Sequence, residues 1–393
     1  MAPLEGILVA DFTRVLAGPY STMLLADLGA QVIKVERPGA GDDTRQWGPP
    51  WAADGQSTYF HAVNRNKSSV ALDLADRDDL RLARRLARHA DVVVSNFRPG
   101  TMARLGLDFA ALSAANPGVI CCEISGFGSG PGAALPGYDL LVQAMGGLMS
   151  ITGEPGQPTK VGVAIVDVVT GLHATVGVLA ALVERARTGR GQPIEVNLLS
   201  SLLSALVNQS SAYAAGDQVP TALGNAHPSI APYEPFDTAD RPMIIAVGND
   251  RQFAALCGVL GLGALVGDER FADNPRRVAH RGELHELLAV PLAGRGVDHW
   301  RQELTAAGVP CGPINDVAAA FALAGELGLA PTRVPDGPAV AGAGPAVPTV
   351  AHPIDLPLSP ARHRSSSPTL GADDAEVRRW LDGLHAADGP AGT

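Results

Sequence analysis

Apolar and polar positions along the first half of the chain follow a pattern that predicts strands separated by helices. Apolar runs at residues 7–12 and 31–36 flank a helical stretch, 19–28, that begins with a proline and ends before a glycine. A helix between two such strands predicts a βαβ unit, and hence a parallel sheet with a right-handed crossover. Further strands are predicted at residues 69–74, 91–97, 119–125 and 194–198. The predicted fold is a doubly wound α/β domain with a mostly parallel sheet.

Composition changes after a helix predicted at residues 199–215. Residues 216–235 are rich in proline and small residues, which is typical of a linker, and a hairpin-like pair with several helices continues to about residue 328. An extended segment rich in proline, alanine and glycine and a short helix then complete the chain. These changes predict a large α/β domain at 1–215, a linker at 216–235, a smaller α+β domain at 236–328, and a C-terminal segment at 329–393 that returns to the large domain.

One carboxylate, Asp167, interrupts an apolar run. Residues 161–166 are typical of a strand, and apolar residues recur at helical spacing from Val168 to Val183, which places Asp167 at a predicted strand-to-helix junction. An aspartate there is often a helix N-cap, because its oxygens accept hydrogen bonds from the first turn. A carboxylate in apolar surroundings is also a poorly solvated nucleophile of the kind that covalent catalysis needs. Both interpretations fit this stretch taken by itself.

Composition and charge exclude several classes of function. The chain has 393 residues, 46% of them hydrophobic, and a net charge of −10 that is spread along it, which disfavours nucleic acid and anionic membranes as partners. We expect a cytoplasmic protein, because no apolar run approaches a membrane span and no basic region precedes the first apolar stretch. The four cysteines have no metal-ligand spacing. Neither GxGxxG nor GxxxxGK[ST] occurs, so a dinucleotide fingerprint and a P-loop are not supported.

Several long, ordered motifs resemble the family III CoA-transferases, the group of formyl-CoA transferase, the carnitine CoA-transferase and the 2-methylacyl-CoA racemases. The resemblance runs from about residue 4 to the C-terminal helix, and its motifs are DFTRVLAGPYSTMLLADLGAQVIKVERPGAGDDTRQWGPP, VNRNKSSVALDL, VVVSNFRPGTMARLGLDF, PGYDLLVQAMGGLMSITGEP, VDVVTGLHATVGVLAAL, RTGRGQPIEVNLL and VGNDRQF. It implies an enzyme that transfers a sulfur-containing group, moving CoA from an acyl-CoA donor to a free carboxylic acid. It also implies an interlocked homodimer.

The resemblance further implies that Asp167 is the nucleophile. Its carboxylate attacks the donor thioester to give an acyl-aspartyl mixed anhydride and a CoA thiolate, which returns to form an aspartyl-CoA thioester that the acceptor acid attacks. One thioester is exchanged for another, so coenzyme A is a substrate and product, and neither a permanent cofactor nor a metal is expected. Preorganised donors in a water-poor site suit such intermediates.

A coenzyme A site is also implied by the resemblance. Basic side chains suit the phosphates and an aromatic face suits adenine, although each such residue also has an ordinary alternative as a surface charge or a core residue. The implied residues along the nucleotide and pantetheine arm are Val15, Leu16, Arg37, Lys67, Asn96, Phe97, Arg104 and Tyr138.

Tyr138 stands where racemases of the family carry a histidine. A phenol, with an ordinary pKa of about 10, is a poor base at neutral pH, which disfavours a racemase. A 2-methylacyl-CoA racemase or epimerase on the same fold is the alternative to the transferase. The neighbouring Asp139 aligns with an acid that assists some transferases, or is an N-terminal helix residue. A non-catalytic acyl-CoA-binding protein is disfavoured by the presence of Asp167, and a nicotinamide oxidoreductase by the missing phosphate fingerprint.

Two glycine-containing loops are candidates for walls of the site. Residues 126–137 either bring backbone close to a ligand or form a flexible surface connection. Residues 248–252 occupy the place of the family's mobile lid, but Gly-Asn-Asp there is also typical of a tight turn between a strand and a helix. Within that stretch, Arg251 is a candidate partner for the distal carboxylate of a dicarboxylic donor, or a solvent-facing helix arginine.

Overall fold

The structure, a computed structural model, describes residues 2–336 and 346–388, and the chain divides into two compact units. The large unit comprises Met1–Leu148, Val161–Asp217 and Ala330–Thr393, and the small unit comprises Met149–Lys160 and Gln218–Leu329. Most of the predicted linker, and the short stretch 149–160, therefore belong to the small unit, where the Gly224 amide donates to the Gly153 carbonyl at 3.0 Å. Residues 337–345 and 389–393 of the predicted C-terminal segment lie outside the described residues.

Strands and helices alternate through the first 217 residues, as the hydrophobic pattern predicts. The strands are β1 (Leu8–Phe12), β2 (Gln31–Glu36), β3 (Lys67–Ala71), β4 (Val92–Ser95), β5 (Ile120–Ser125) and β6 (Pro193–Asn197). The helices are α1 (Ala17–Asp27), α2 (Thr58–Asn64), α3 (Arg77–His89), α4 (Thr101–Leu105), α5 (Phe109–Ser113), α6 (Asp139–Met145), α7 (Leu148–Ile151), α8 (Ile165–Thr188), α9 (Leu198–Ala205) and α10 (Asn208–Gly216).

These six strands form one parallel sheet in the order β3-β2-β1-β4-β5-β6. At its centre, Ala10 of β1 pairs with Ile33 of β2 on one side and with Val93 of β4 on the other. Strands β2 and β3 follow β1 on one side of it, and β4, β5 and β6 follow on its other side. This order confirms the predicted doubly wound fold and places a topological switch point between β1 and β4, where the departing loops leave a crevice.

Helices cover both faces of the sheet, because successive side chains of a strand point to opposite faces. Val9 and Val92 belong to an apolar cluster with α1 and α8, whereas their neighbours Ala10 and Val93 belong to a cluster with α3. Helix α16 (Asp374–Asp388) joins the second cluster through Val377 and Leu381, so the C-terminal helix packs on the large unit. Helices on both faces account for buried apolar residues on both sides of the central strands β1 and β4.

The small unit contains an antiparallel sheet with helices packed against it. Its strands, in the order β7-β8-β9, are β7 (Tyr233–Phe236), β8 (Met243–Ala246) and β9 (Cys311–Pro313). Its helices are α11 (Asp250–Val259), α12 (Asn274–Ala279), α13 (Arg281–Leu292), α14 (Val297–Ala306) and α15 (Val317–Glu326). Phe236, Phe253 and Leu288 share one core, so strands and helices of this unit bury a common apolar centre. A two-stranded sheet of β10 (Thr332–Arg333) and β11 (Thr349–Val350) belongs to the large unit.

Two predicted elements are wrong. Residues 161–166 do not form a strand, because α8 already begins at Ile165, and Asp167 consequently lies in the first turn of a helix entered from a loop. The helix predicted at 199–215 is two helices, α9 and α10. Val207 between them has a φ of +42°, which an α-helix cannot accommodate.

Helix α8 corrects a third expectation, that no apolar run approaches the length of a membrane span. Within the described part of the chain, it alone is long and apolar enough to cross a membrane by length and composition. A core helix passes the same test, and Ala174 and Val178 of α8 are buried against the sheet. Val176 and Val183, by contrast, are 63% and 66% exposed, so one side of the helix is uncovered in the single chain.

Candidate active site

A cavity of about 270 Å³ lies at the carboxyl end of the large sheet, at the switch point between β1 and β4. Its walls come from the turn after β1, the loop after β4, the loop after β5 and the first turn of α8. Ligands of doubly wound sheets bind at this position. The cavity brings together six of the predicted site residues, which are Val15, Leu16, Asn96, Phe97, Tyr138 and Asp167. Asp139 also lines it.

Asp167 is not the N-cap of its helix. The cap position is Ala164, and the carboxylate of Asp139, from α6, satisfies the first turn instead: its Oδ1 accepts from the amides of Val166 at 2.8 Å and Asp167 at 3.1 Å. Buried Gln143 donates to Oδ2 of Asp139 at 2.5 Å. The capping role that the sequence suggested for Asp167 therefore falls to Asp139.

The environment of Asp167 favours its protonated form. Burial raises the pKa of this carboxyl to about 7, and the negative charge of Asp139 adds to the effect. A carboxyl with such a pKa exchanges a proton near neutral pH, which is uncommon for an aspartate. Perturbed groups of this kind occur preferentially at functional sites.

Tyr59 is a neighbour of this carboxylate pair that sequence reasoning missed. Burial raises the pKa of Tyr59 to about 12, with further contributions from the charges of Asp167, Asp139 and Asp42. Its phenol therefore stays protonated at neutral pH and can donate a hydrogen bond. No motif marks Tyr59, because only tertiary packing brings α2 close to α6 and α8.

The glycine-rich loop 126–137 forms one wall of the cavity. Its two ends cross so closely that a Cβ on Gly126 would lie 2.4 Å from the Cα of Gly137, so glycine is required at the crossing. Tyr138 follows directly, at the N-terminus of α6, and is 65% exposed. The loop therefore lines the cavity with backbone as well as side chains, and its contact with a ligand stays a prediction.

The turn after β1 forms the opposite wall. Val15 has a φ of +70°, which is rare for a β-branched residue, and Leu16 immediately precedes α1. Asn96 joins this turn to the loop after β4, because its Oδ1 accepts from the Arg14 amide at 2.9 Å and its Nδ2 donates to the Arg14 carbonyl at 2.7 Å. Asn96 therefore holds together the two loops that frame the switch point.

A second cavity, of about 210 Å³, adjoins the first. It is lined by Arg37 and by residues 72–75, and it shares Arg14 and Phe97 with the first cavity. The Arg14 guanidinium lies 5.8 Å from the centre of the Phe97 ring. The side chain of Arg37 is 61% exposed and makes only a long ion pair with Asp43, at 3.6 Å. Both arginines thus lie beside Asp43, with Arg14 at 3.5 Å from it, and the second cavity is lined by carboxylates as well as by these cations and the Phe97 ring.

Lys67 and Arg104 are not brought to either cavity. The Lys67 side chain is fully buried, and its Nζ donates to Asp11 at 3.1 Å, to the Pro19 carbonyl at 2.9 Å and to Asn64 at 2.9 Å. An ammonium has three hydrogens, so none remains for a phosphate. These contacts give Lys67 a structural role in the large unit, and its predicted contact with CoA stays a prediction. Arg104 is exposed on α4, outside both linings.

In the small unit, residues 248–252 make a tight turn into α11. Asn249 caps the helix by accepting from the Gln252 amide at 3.0 Å, and Gln252 accepts in return from the Gly248 amide at 2.8 Å. Asp250 accepts from buried Arg277 at 2.6 Å. Arg251 is exposed in the first turn of α11. Nothing in residues 2–336 and 346–388 groups three or more His, Cys, Asp or Glu side chains for a metal ion.

Residues 4–374 match the sequence model of CoA-transferase family III. The chain is 44% identical over 400 residues to a succinate–glutarate CoA-transferase of Agrobacterium fabrum, across 99% of this chain and 98% of the relative. It is 44% identical over 329 residues to a succinyl-CoA:glutarate CoA-transferase of Mus musculus, across 83% and 75%. The crystal structure of a CAIB/BAIF family protein from Brucella suis is similar, with a TM-score of 0.85, 44% identity, and coverage of 97% of this chain and 100% of that one.

Proposed function

This chain belongs to family III of the CoA-transferases and is a CoA-transferase, and we propose that it moves CoA from a dicarboxylic acyl-CoA to a free dicarboxylic acid through Asp167. The observation that carries this proposal is the half-buried Asp167 carboxyl in the wall of the switch-point cavity, with its pKa raised to about 7. The acids named for the two relatives, succinate and glutarate, are both dicarboxylic, which supports this substrate class.

Asp167 acts as an oxygen nucleophile in the proposed reaction. Its carboxylate attacks the thioester carbonyl, the C–S bond breaks, and an acyl-aspartyl anhydride and the CoA thiolate form. The thiolate then attacks the aspartyl carbonyl, which releases the donor acid and leaves an aspartyl-CoA thioester. The acceptor carboxylate then attacks the aspartyl-CoA thioester, which releases the CoA thiolate and forms a new acyl-aspartyl anhydride. The thiolate attacks the acceptor's acyl carbonyl in this anhydride, giving the new acyl-CoA and free Asp167. Thioester bonds are conserved overall, so the cycle balances without ATP or a redox partner.

Electrostatics around Asp167 suit this chemistry. A carboxylate with a pKa near 7 is more basic than an ordinary aspartate, and a sizeable fraction of it is ionised at neutral pH. The charges of Asp167 and Asp139 also raise the pKa of Tyr59, so its phenol stays protonated beside them, although Tyr59 does not line the cavity. Asp139 keeps the first turn of α8 in place through its hydrogen bonds to Val166 and Asp167. In this proposal Asp139 is a positioning residue.

Coenzyme A spans the two adjoining cavities in this proposal. The thioester lies beside Asp167, the pantetheine arm passes Val15, Leu16, Asn96 and Tyr138, and the nucleotide enters the second cavity. Arg14 and Arg37 attract the phosphates there, and the Phe97 ring offers an aromatic face. In this proposal Arg14 supplies the positive charge near the phosphates that the resemblance implied for Lys67.

A second copy of the chain is the proposed partner. Helix α8 contacts α6 and α9, and these helices together expose large apolar side chains that a single chain leaves in water. Those side chains are Leu140, Leu141, Met145, Leu172, Val176, Val183 and Leu203. Exposed apolar surface of this extent is typical of interfaces, and the family resemblance implies an interlocked homodimer. Light scattering tests this: we expect the wild type to be a dimer and the Val176→Glu variant, with a charge on the exposed side of α8, to be a monomer. A monomeric wild type contradicts the proposal. Binding of the wild type to lipid vesicles, measured by co-sedimentation, would also contradict it.

Mass spectrometry tests the covalent step. We expect succinyl-CoA to leave an adduct, trapped by hydroxylamine or borohydride, on the peptide that contains Asp167. Adding glutarate should discharge the adduct and yield glutaryl-CoA, separated by chromatography. The Asp167→Asn variant, of nearly the same shape, is the control and should give neither product. An adduct on another residue, or full transfer by this control, contradicts the mechanism.

A panel of donors and acids tests the substrate class. Dicarboxylic donors should be used at least about tenfold better than monocarboxylic donors of the same length, since an unpaired buried polar group costs about a factor of ten or more. Equal use of both classes contradicts this part of the proposal and leaves the rest intact. Deuterium uptake at the α-carbon without any acceptor acid would indicate the racemase alternative, which the transferase names of the relatives do not favour.

A further inference from the structure

Three side chains from different elements hold three consecutive residues of the turn between β1 and α1. Lys34 of β2 donates from Nζ to the Thr13 carbonyl at 2.8 Å. Asn96 bridges both backbone groups of Arg14, as described above. The carboxylate of Asp42 accepts from the Val15 amide, with oxygens at 3.2 and 3.3 Å. A short turn with a partner for each successive residue is held more firmly than an ordinary loop.

The backbone of this turn needs such support. Val15 has a φ of +70°, in the left-handed region that β-branched residues avoid. The chain then folds back so tightly that a Cβ on Gly18 would lie 2.4 Å from the Cβ of Thr13. Backbone conformations of this kind persist only where the surrounding structure imposes them.

Asp42 and Lys34 are a buried ion pair, 2.9 Å apart, whose side chains are both 0% exposed. Asp42 also accepts from the amide and the hydroxyl of Thr44, at 3.0 and 2.9 Å. Burial acts to raise the pKa of Asp42, but the Lys34 charge and these hydrogen bonds lower it below its usual range, so the carboxylate is ionised. Both residues border the second cavity, but their side chains have no exposed surface and are already engaged with each other and with the turn, so they can act on the reaction only through the turn.

We propose that Asp42 and Lys34 are positioning residues for the transfer reaction, because they hold Val15 in its left-handed conformation and so place Val15, Leu16 and the start of α1 against the cavity that contains Asp167. This inference rests on the proposed role of Asp167. Val15 and Leu16 line the same cavity as the nucleophile, so a shift of the turn moves the wall against which the thioester lies. A displacement of about 1 Å in a reacting group can reduce the rate about a hundredfold.

A double-mutant cycle between Asp42 and Val15 tests the inference. Asp42→Ala should lower kcat by about 10- to 100-fold, because Val15 then relaxes from its left-handed conformation. Glycine adopts that conformation without support, so the same change should cost less than about threefold when Val15→Gly is already present. Equal losses in both backgrounds would overturn the proposal.

Two further variants separate positioning from stability. Asp42→Leu keeps about the size of the side chain but removes both oxygens that accept from the Val15 amide, and should lower kcat in the same direction even if Asp42→Ala fails to fold. Asp27→Leu disrupts a second buried ion pair, with Arg65, that lies outside the linings of both cavities. This matched control should lower the melting temperature but not the kcat of the folded enzyme. A kcat loss as large as that of Asp42→Leu would overturn the inference.

Failure of this inference and failure of the proposed function give different results. If Asp167→Asn abolishes transfer while the Asp42 and Val15 losses multiply independently, Asp42 is only structural and the proposed function stands. If Asp167→Asn transfers CoA normally, the nucleophile has been misassigned, whatever the outcome of the cycle.

Discussion

Two aspartates of the large unit carry opposite pKa shifts. Burial acts to raise the pKa of Asp11, in β1, but the ammonium groups of Lys67 and Lys34 and the hydroxyls of Thr13 and Thr22 lower it to about 2. Burial also raises the pKa of Asp167, and its charged neighbour is another carboxylate, Asp139, so the value reaches about 7. Burial is common to both sites, and the sign of the neighbouring charge decides whether the pKa of the carboxyl falls or rises.

The ionic cluster around Asp11 also explains how the chain uses its lysines. The sequence contains only three, Lys34, Lys67 and Lys160, and the first two are fully buried in this cluster. A compact ammonium with three donors suits a closed pocket of oxygens better than the planar fork of an arginine. The cluster therefore anchors the strand ends and the turn, whereas no lysine in the described part of the chain accompanies the carboxylates of Asp167 and Asp139.

Removing the reactive anion should have the largest effect. Asp167→Ala should lower the transfer rate by at least about ten-thousandfold, because no other group replaces the nucleophile. A carboxyl whose folded pKa is raised destabilises the fold above its unfolded pKa, so stability at pH 8 should stay the same or rise. Steady-state kinetics and denaturant unfolding measure the two effects. A marked loss of stability would show that Asp167 has a structural role after all.

Removing a partner of the structural anion should act on stability instead. Lys67→Met leaves buried Asp11 without its nearest cation and should lower the free energy of unfolding by about 3–5 kcal/mol. Denaturant titration measures this change, and Arg37→Met, at an exposed position, is the matched control with little expected effect. If Lys67→Met instead raises the KM for acyl-CoA at unchanged stability, Lys67 binds the coenzyme as first predicted.

Arg37 should affect binding rather than stability. Because it lines the second cavity and has only a long ion pair, Arg37→Met should raise the KM for acyl-CoA about tenfold, which corresponds to about 1.4 kcal/mol. The effect should shrink at high salt, since the contact is exposed. An unchanged KM at low salt places the nucleotide outside this cavity.

The smallest expected effect is a shift in pH dependence. In the free enzyme, kcat/KM should rise with pH through about 7 as Asp167 ionises. Asp139→Asn removes the neighbouring negative charge and so lowers the pKa of Asp167, which should move this rise to lower pH. An asparagine oxygen can still accept from the amides of Val166 and Asp167, so the helix cap is retained. A profile that does not move, or moves to higher pH, contradicts the coupling between the two carboxylates.

The sequence pattern by itself determined the parallel doubly wound fold, whereas the individual cavity residues were implied by the family resemblance. Strand and helix periodicity depend on local spacing, and parallel topology follows from the alternation of the two. Val15, Leu16, Asn96 and Phe97 follow directly after β1 and β4, so the fold alone carries them to one edge of the sheet. The same logic placed Asp167 at a helix start, although the strand predicted before it is absent.

Only the tertiary structure decided which polar groups face each other. Asp139 lies 28 residues from Asp167 in the sequence, yet it caps that residue's helix and shifts its pKa. Lys67 has the same charge as Arg37, but its side chain turns into the ionic cluster and not towards the cavity. Hydrophobic periodicity records which side of an element is buried, whereas the pairing of charges depends on contacts between elements far apart in sequence. For that reason the fold could be predicted from the pattern, and which buried carboxylates have a cation beside them could not.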